Sequence, residues 1–337
     1  MVLEIGGGVV LGTALGWVLQ RGGFCMNSAF RSILFEKDKS LLRAWLLVLL
    51  INIPAVALLQ DLGILYPQTA PLFWPALIAG GLVFGIGMVM AGGCASGTYY
   101  RAGRGMLGSW AALLGFLVGT AAMDGGALFG IQRAMREPVI DIQGREATLF
   151  NLTGLETGIG RWLLIAAVLI PIVVYLSKAP QQKFLIGWGW RKTGTLVGLL
   201  ALAVWLLSAA VGRDFGLSFT QPSTALGRLI ISGDGSGVGL PLYILLGVPL
   251  GAYFSAAVKG EAAWRAPDAK TLVRQSGGGL TMGLGASLAG GCNIGHGITG
   301  IATLGLGSML GVFSIMAGCW LMTALIIRSH KAAVQKA

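Results

Sequence analysis

Two cysteines in this chain occur in the same sequence context, once in each half. The pattern Gly-Leu-x-x-Gly-x-Gly-x-x-x-Ala-Gly-Gly-Cys-x-x-Gly spans Gly81–Gly97 and again Gly279–Gly295, with nine of 17 positions identical at an offset of 198 residues. Each copy places a cysteine, Cys94 or Cys292, directly after a long apolar run. A thiol is a weak, polarisable hydrogen-bond donor. A matched pair of thiols therefore suits brief contacts with a soft ligand atom.

The glycines before each cysteine support two interpretations. They let the backbone leave helical geometry and let another backbone approach closely, so a tight helix crossing with a buried cysteine is one possibility. Alternatively, a helix interrupted there leaves free N–H groups at the start of the next segment, which form an anion site without a fixed charge. Because both halves carry the pattern with matching cysteines, we favour a binding site. Its expected members beside Cys94 and Cys292 are Gly93, Ser96, Gly97, Gly291, Asn293, Gly295 and His296.

A third cysteine, Cys25, follows a Gly-Gly-Phe sequence after the first apolar run. The Gly-Gly pair is expected to break the preceding helix, and Asn27 or Ser28 to cap the next one. If the first part of each half also repeats, the pentapeptide around Cys25 aligns with Gly216–Thr220, and Cys25 corresponds to Ser218. The site would then contain three cysteines, and its further expected members beside Cys25 are Asn27 and Ser28. A buried cysteine at a helix start is the alternative, and the residues alone leave both open.

Two further residues that could do chemistry are interpreted as structural. Cys319 has neither polar neighbours in the sequence nor a repeat partner, so we expect it to fill apolar space. His296 could donate to an anion or tune Cys292, but its repeat counterpart is Thr98, which favours a histidine satisfied by the protein. Cys292 and His296 are too few for zinc, which takes about four ligands. We therefore predict no metal site and no cofactor.

The composition indicates which elements must position these residues. The chain has 337 residues, of which 55% are hydrophobic and 11% charged, whereas soluble domains carry about 25% charged residues. Several nearly uncharged runs of about 20 residues are long enough to cross a bilayer as helices. We predict an all-α polytopic membrane protein in the lipid bilayer. The net charge of +11 does not indicate nucleic-acid binding, because the basic residues lie mainly between apolar runs.

About nine transmembrane helices are predicted, with short re-entrant or broken helices beside them. The distribution of charge sets their orientation. With the N-terminus outside, the cytoplasmic loops hold 18 of the 24 Lys and Arg residues, and nine of the 13 acids lie on or near the other side. The positive-inside rule then predicts an N-out, C-in topology. The predicted spans are 3–20, 41–60, 74–93, 107–129, 162–177, 194–211, 241–258, 275–291 and 306–327, and the short stretches are 22–34, 95–105, 216–231 and 293–304.

This topology makes the two cysteine repeats run in opposite directions. The span before Cys94 travels inward and the span before Cys292 travels outward, because 162–177 is an odd crossing between them. Inverted-topology repeats are typical of secondary transporters and some channels, with the substrate site at the repeat interface. We predict one transmembrane domain, 1–337, with a first repeat half at 1–130, a connecting loop and odd crossing helix at 131–193, and a second, inverted half at 194–337.

Two features of the predicted outer side remain to be placed. Asp124 is the only acid well inside a predicted span, and an intramembrane carboxylate is a functional candidate. Gly125 and Gly126 follow it, so we expect the helix to end there instead. The segment 131–160 holds arginines among four acids. It either covers a site and gathers anions or is a plain solvated loop.

At these residues the chain resembles the YeeE/YedE family of bacterial membrane proteins for sulfur-compound transport, over essentially its whole length. The resemblance rests on Gly-Phe-Cys after the first span and Gly-Gly-Cys in each half. It implies a multi-pass inner-membrane protein that imports thiosulfate and is not an enzyme. It also implies an hourglass-shaped path in which thiosulfate passes between Cys25, Cys94 and Cys292 through S–H···S hydrogen bonds. A separate, small cytoplasmic TusA-like sulfur carrier is the implied partner.

The chemistry of thiosulfate suits such a path. The dianion has one soft terminal sulfur, which suits a thiol donor, and three hard oxygens, which suit backbone N–H groups. Thiols in a low-dielectric site stay protonated, and a thiolate would repel the anion. Weak sequential sites also let an ion leave again, as conduction requires. Another sulfur or selenium compound as substrate, a membrane sulfurtransferase with a cysteine persulfide, and a soft-metal carrier are the alternatives.

Overall fold

The chain folds into helices joined by short turns. The structure, a computed structural model, describes residues 2–142, 144–180 and 187–336, with side chains described as far as Ser329. Residues 181–186, inside the predicted connecting segment 131–193, lie outside the described residues. In chain order the helices are α1 (Val2–Gly22), α2 (Met26–Leu34), α3 (Ser40–Asp61), α4 (Trp74–Met90), α5 (Ala95–Gly103), α6 (Leu107–Met123), α7 (Phe129–Arg136), α8 (Leu149–Thr153), α9 (Gly158–Ser177), α10 (Trp190–Ala210), α11 (Thr220–Ser232), α12 (Leu240–Val258), α13 (Ala269–Ala289) and α14 (Leu306–Lys336), with a π-helical segment at Gly295–Gly300.

Seven helical stretches of the described chain are long and apolar enough to cross a membrane. They contain α1, α3, α4, α9, α10, α12 and α14. Of the two other predicted spans, α6 has only 17 residues, and α13 begins with a polar turn that contains Lys270 and Arg274. The all-α polytopic class is confirmed. The number of nine spans and the N-out, C-in orientation stay predictions.

The structure tests the sequence expectations about Asp124 and about the segment 131–160. The predicted span 107–129 is too long, because α6 ends at Met123 and Asp124 follows it as the C-cap residue. The expectation that the helix ends at Asp124 is therefore confirmed. The segment 131–160 is not a plain loop, since it contains most of α7, all of α8 and the start of α9.

Four long helices break at a glycine and continue as a shorter element. The units are α1 with α2, α4 with α5, α10 with α11, and α13 with the π-helical segment. A left-handed glycine lies in each break: Gly23 at φ 58°, Gly92 at 77°, Gly212 at 74° and Gly290 at 76°. This conformation is strained for residues with a Cβ atom. The glycines found next to the cysteines in the sequence thus end the helices that lead to them.

The helix contacts pair up between the two parts of the chain. Helix α1 packs along α12 and α3 packs along α10, while α4 packs along α14 and α6 along α13. The counterparts in chain order are α1 and α10, α3 and α12, α4 and α13, and α6 and α14. Exchanging the two members of each of these pairs reproduces the same set of helix contacts. Small residues bring these helices together, because a Cβ atom on Gly16 would lie 1.9 Å from the Val248 carbonyl oxygen. The boundaries of the two halves and their opposite orientation stay predictions.

Candidate substrate path

All three cysteines proposed for the site lie where a helix begins after a break. Cys25 is the N-cap residue of α2, and Cys94 is the N-cap residue of α5. Cys292 lies in the turn between α13 and the π-helical segment. In each case the cysteine carbonyl accepts a hydrogen bond from the N–H four residues later, at 3.0, 2.8 and 2.8 Å respectively. The broken helices therefore hold the three thiols at their starting turns, as the glycine pattern predicts.

The structure brings Cys25 and Cys94 into direct contact. The two Sγ atoms are 3.6 Å apart, with the Cys25 thiol placed to donate to Cys94. Cys94 Sγ also accepts from the N–H of Gly97 at 3.4 Å and lies 3.3 Å from Ser96 Oγ. A Cβ atom on Gly97 would lie 2.9 Å from Cys25 Sγ. Ser96, Gly97 and the two thiols thus form one buried cluster.

The second half repeats one contact of this cluster, with a serine in place of Cys25. A Cβ atom on Gly295, the repeat counterpart of Gly97, would lie 3.5 Å from Ser218 Oγ. Gly97 therefore faces Cys25 in the first half, and Gly295 faces Ser218 in the second. This geometry supports the alignment of Cys25 with Ser218. Cys292 precedes Gly295 by three residues, as Cys94 precedes Gly97, and we refer to Ser218, Gly295 and Cys292 as the second cluster.

The surroundings of Cys292 are buried and polar. Asn293 has no exposed surface, its Nδ2 donates to Met88 Sδ at 3.9 Å, and its Oδ1 has no partner among the described atoms. A buried amide oxygen without a partner is costly, and as an acceptor it suits a hydrogen-bond donor and not the oxygens of an anion. Tyr99 comes within electrostatic range of Cys292 and bonds through its hydroxyl to Ser223 Oγ at 2.8 Å. Tyr99 is a site neighbour that the sequence analysis missed.

His296 is held by the protein through both of its ring nitrogens. Nε2 lies 3.0 Å from the carbonyl oxygen of Ala289, so this nitrogen carries the hydrogen, and Nδ1 lies 3.2 Å from Ser308 Oγ. The ring packs against Gly291, where a Cβ atom would lie 2.8 Å from Nε2. This agrees with the interpretation of His296 as a satisfied histidine. Direct contact with a substrate stays a prediction for His296 and Gly291.

A basic residue that the sequence analysis did not select lies beside the Cys25–Cys94 cluster. Arg101, in the last turn of α5, donates to the carbonyl oxygen of Gly92 and packs against the adjacent Gly93. It is also within electrostatic range of both thiols. A signal for Arg101 exists in the sequence, because it follows Cys94 by less than two helical turns.

One expectation around α2 is wrong. Asn27 and Ser28 do not cap this helix, because Cys25 is its N-cap residue and they belong to its first turn. Asn27 instead accepts a hydrogen bond through Oδ1 from Cys319 Sγ at 3.5 Å. Cys319 has no polar neighbours in the sequence and is buried as expected, and its thiol meets Asn27 from the other end of the chain. The hydropathy around Cys319 could not show this partner, which is distant in sequence.

A large cavity opens beside the second cluster. Its volume is about 1020 Å³, and Ser218, Gly295 and His296 are among the residues that line it. It is lined by ends of α1, α6, α7, α10, α12 and α13 that the predicted topology places outside the membrane. Among the described residues its lining includes none of the three cysteines. The thiols themselves are at most 1% exposed, so they lie beneath a closed layer.

Charged side chains of both signs line this cavity. Arg228 pairs with Asp234 and lies 3.8 Å from Asp124. Arg213 donates to Gln221 Oε1 at 3.2 Å. The remaining basic residue of the lining is Arg136, from α7. Three guanidinium groups, those of Arg136, Arg213 and Arg228, thus line the cavity together with Ser218 and Gly295.

Comparison with known proteins places the chain in a family. The family model for sulphur transport matches residues 21–321. The chain is 33% identical over 337 residues to the thiosulfate transporter TsuA of Escherichia coli (strain K12), covering 95% of this chain and 94% of that protein. It is 34% identical over 335 residues to the thiosulfate transporter TsuA of Spirochaeta thermophila, covering 95% and 98%.

The chain also matches a probable transporter over about a third of its length. It is 29% identical over 123 residues, 36% of this chain, to the probable transporter YedE of Salmonella typhimurium. These relatives carry the names of transporters and not of enzymes, in agreement with the resemblance to YeeE/YedE proteins. With a family model that spans most of its length and relatives above 30% identity, the chain belongs to the sulphur transport family of membrane transporters.

Proposed function

We propose that this protein imports thiosulfate across the bacterial inner membrane along a path through two thiol clusters. The cavity and the cluster of Ser218 with Cys292 receive the anion on the outer side. The cluster of Cys25 with Cys94 passes it on toward the cytoplasm. The direction follows from the predicted orientation, in which 18 of the 24 basic residues lie inside. The observation that carries the proposal is the 3.6 Å contact between Cys25 Sγ and Cys94 Sγ.

The contact between these thiols supports transfer by exchange of hydrogen bonds. Cys25 already uses a sulfur atom as its acceptor. The terminal sulfur of thiosulfate is a better acceptor because it carries negative charge. Replacing one S–H···S bond by another leaves no buried donor without a partner, which limits the cost of transfer. The thiols act as neutral donors, since a thiolate would repel the dianion.

The oxygens of thiosulfate need donors of a different kind. The helix starts at α5 and the π-helical segment direct backbone N–H groups toward the cysteines, and a helix start favours negative charge. Gly97 already donates to Cys94 Sγ at 3.4 Å. The small residues Gly93, Gly97, Gly291 and Gly295 leave room at these turns. Soft donors then meet the sulfur of the ion and hard donors its oxygens.

The proposed path lies at the interface of two halves, 1–130 and 194–337, with 131–193 connecting them. The exchange pattern of the helix contacts supports this division. The matched positions of Cys25 and Ser218 support it as well. An inverted repeat of this kind would place one cluster nearer each membrane face.

Uptake of radiolabelled thiosulfate into cells that depend on this protein tests the proposal. Cys94→Ala and Cys292→Ala should abolish uptake, and Cys25→Ala should reduce it strongly, while each protein still reaches the membrane. Cys319→Ala is the matched control, since Cys319 is equally buried but bonds to Asn27 outside the two clusters. Wild-type rates from Cys94→Ala or Cys292→Ala would overturn the mechanism. An inactive wild-type protein would overturn the proposed substrate.

Competition by unlabelled anions defines the substrate class. Sulfate lacks the soft sulfur and should compete poorly, whereas selenosulfate keeps a soft terminal atom and should compete well. If another sulfur or selenium compound inhibits the uptake of labelled thiosulfate more strongly than unlabelled thiosulfate does, that compound is the better substrate candidate. Mass spectrometry of the protein after uptake tests the enzymatic alternative, because a cysteine persulfide adds the mass of one sulfur atom.

The fate of the imported ion suggests a partner. We propose that a separate TusA-like sulfur carrier binds the basic cytoplasmic face, where the imported thiosulfate leaves the protein. Co-purification of the tagged transporter with such a carrier checks this step. A carrier that binds neither the transporter nor its membranes would remove the partner from the proposal.

A further inference from the structure

Helix α7 is fastened to the last turn of α13, directly before the turn that holds Cys292. Gln132 Nε2 donates to the carbonyl oxygen of Ser287 at 3.0 Å and lies 3.1 Å from its Oγ. Arg136 Nε donates to the carbonyl oxygen of Leu288 at 3.1 Å, and its Nη2 donates to that of Ser287. A segment between the predicted halves therefore reaches the core of the proposed path.

These bonds satisfy groups that the helix itself cannot. The last carbonyls of an α-helix have no partner within it and carry a partial negative charge. Here Arg136 bonds to the carbonyl of Leu288, and His296 bonds to that of Ala289. Arg136 also bonds to the carbonyl of Ser287, which accepts from the N–H of Gly290 as well. The glycine turn that follows is thus held from two sides. Arg136 is fixed in place by neutral acceptors, so its own charge is not neutralised by them.

The charge of Arg136 faces the cavity without a carboxylate in contact. Its guanidinium carbon lies 5.0 Å from the centre of the Phe73 ring, and its side chain lines the cavity. Across the described part of the chain, no carboxylate comes within ion-pair distance of it. By contrast, Arg133 on the same helix pairs with Glu137, and Arg228 pairs with Asp234. Asp124 acts on Arg136 only at longer range.

We propose that Arg136 binds divalent oxyanions at the outer end of the path and places them above Cys292. This inference rests on the proposed function and assigns to it a residue outside the cysteine clusters. A guanidinium group presents several N–H donors in a fixed plane, which suits the oxygens of a sulfonate group. With the oxygens held by Arg136, the soft sulfur of thiosulfate is free to turn toward the thiol.

The kinetics of thiosulfate uptake test the assignment. Arg136→Gln should raise KM about tenfold, the ratio expected for a dianion about 6 Å from one unit charge in a water-like dielectric, with Vmax little changed. Arg136→Lys should recover part of the affinity, because it keeps the charge but not the planar set of donors. Arg133→Gln makes the same change in net charge on an exposed, ion-paired side chain of the same helix and should leave KM as in the wild type. The rise of KM with added salt should be weaker in Arg136→Gln than in the wild type.

Asp124→Asn provides a second variant that keeps Arg136 in place. It removes the negative charge that acts on Arg136 at longer range and should lower KM. If Arg136 only fastens α7 to α13, Arg136→Lys will behave like Arg136→Gln, and both will lower Vmax or the amount of protein in the membrane. That result, or an unchanged KM in Arg136→Gln, would overturn the inference. The uptake kinetics of all variants are compared with those of the wild-type protein. If the wild-type protein itself does not transport thiosulfate, the proposed function is overturned, and not the role of Arg136.

Discussion

Cys25 Sγ lies 3.6 Å from Cys94 Sγ, although the two residues are 69 positions apart. Two separate helix starts, those of α2 and α5, meet at this point. Each thiol is buried, so neither is solvated by bulk water. The contact places two soft sulfur atoms side by side in a protein of the sulphur transport family. The predictions below concern the residues that shape this contact and its counterpart in the second half.

Gly97→Ala should impair transport more than Gly295→Ala. The added Cβ atom would lie 2.9 Å from Cys25 Sγ in the first case but 3.5 Å from Ser218 Oγ in the second. Overpacking of this kind costs about 1–3 kcal/mol, and here it would displace a thiol. Uptake rates and thermal unfolding of the two purified variants check the difference. Equal behaviour of the two variants would show that the Cys25–Gly97 contact is not critical.

Ser218→Cys should keep transport, while Cys25→Ser should lose most of it. Both changes exchange oxygen and sulfur at equivalent positions, because Ser218 faces Gly295 as Cys25 faces Gly97. A thiol at 218 adds a soft donor beside Cys292, whereas a hydroxyl at 25 removes one from the narrow contact. We expect a loss of about tenfold for Cys25→Ser, the effect of about one hydrogen bond. Initial rates of labelled thiosulfate uptake measure both, and a fully active Cys25→Ser protein would contradict the role of sulfur donors.

Arg101→Gln should lower Vmax with little effect on KM. Arg101 lies within electrostatic range of Cys25 and Cys94, at the predicted cytoplasmic end of the path. Its charge should stabilise the anion after it has passed the outer site, so the loss falls on a later step. Arg104→Gln, at the C-cap of the same helix, is the control. A change in KM alone would place Arg101 in the initial binding step instead.

His296→Ala should destabilise the protein in addition to any effect on transport. The change leaves the Ala289 carbonyl and the Ser308 hydroxyl without their ring partner in a buried place. Each buried polar group left unsatisfied costs about 1–3 kcal/mol. Thermal unfolding in detergent should show a lower Tm, which bound thiosulfate does not restore to the wild-type value. An unchanged Tm would show that water replaces the imidazole at no cost.

Much of the architecture could be predicted because the signals are local. Long apolar runs indicate membrane helices whatever they pack against, and the left-handed Gly92 and Gly290 lie in the breaks that the repeated glycine pattern predicts. The end of α6 at Asp124 also follows from neighbouring residues. The capping of α2 was not predictable in this way. Asn27 is a good cap by type, but its side chain bonds to Cys319 from the far end of the chain.

The sequence by itself determined the all-α membrane class, the family and the cysteine repeat, because hydropathy and motif spacing are properties of adjacent residues. Only the tertiary structure decided which thiols touch and which basic residues stand beside them. Arg136 acts on a helix end more than 150 residues away, and Cys25 meets Cys94 through the packing of broken helices. Such contacts depend on how glycine-rich faces fit together in three dimensions. Side chains on the same helix, such as Arg133 and Arg136, can therefore have different roles.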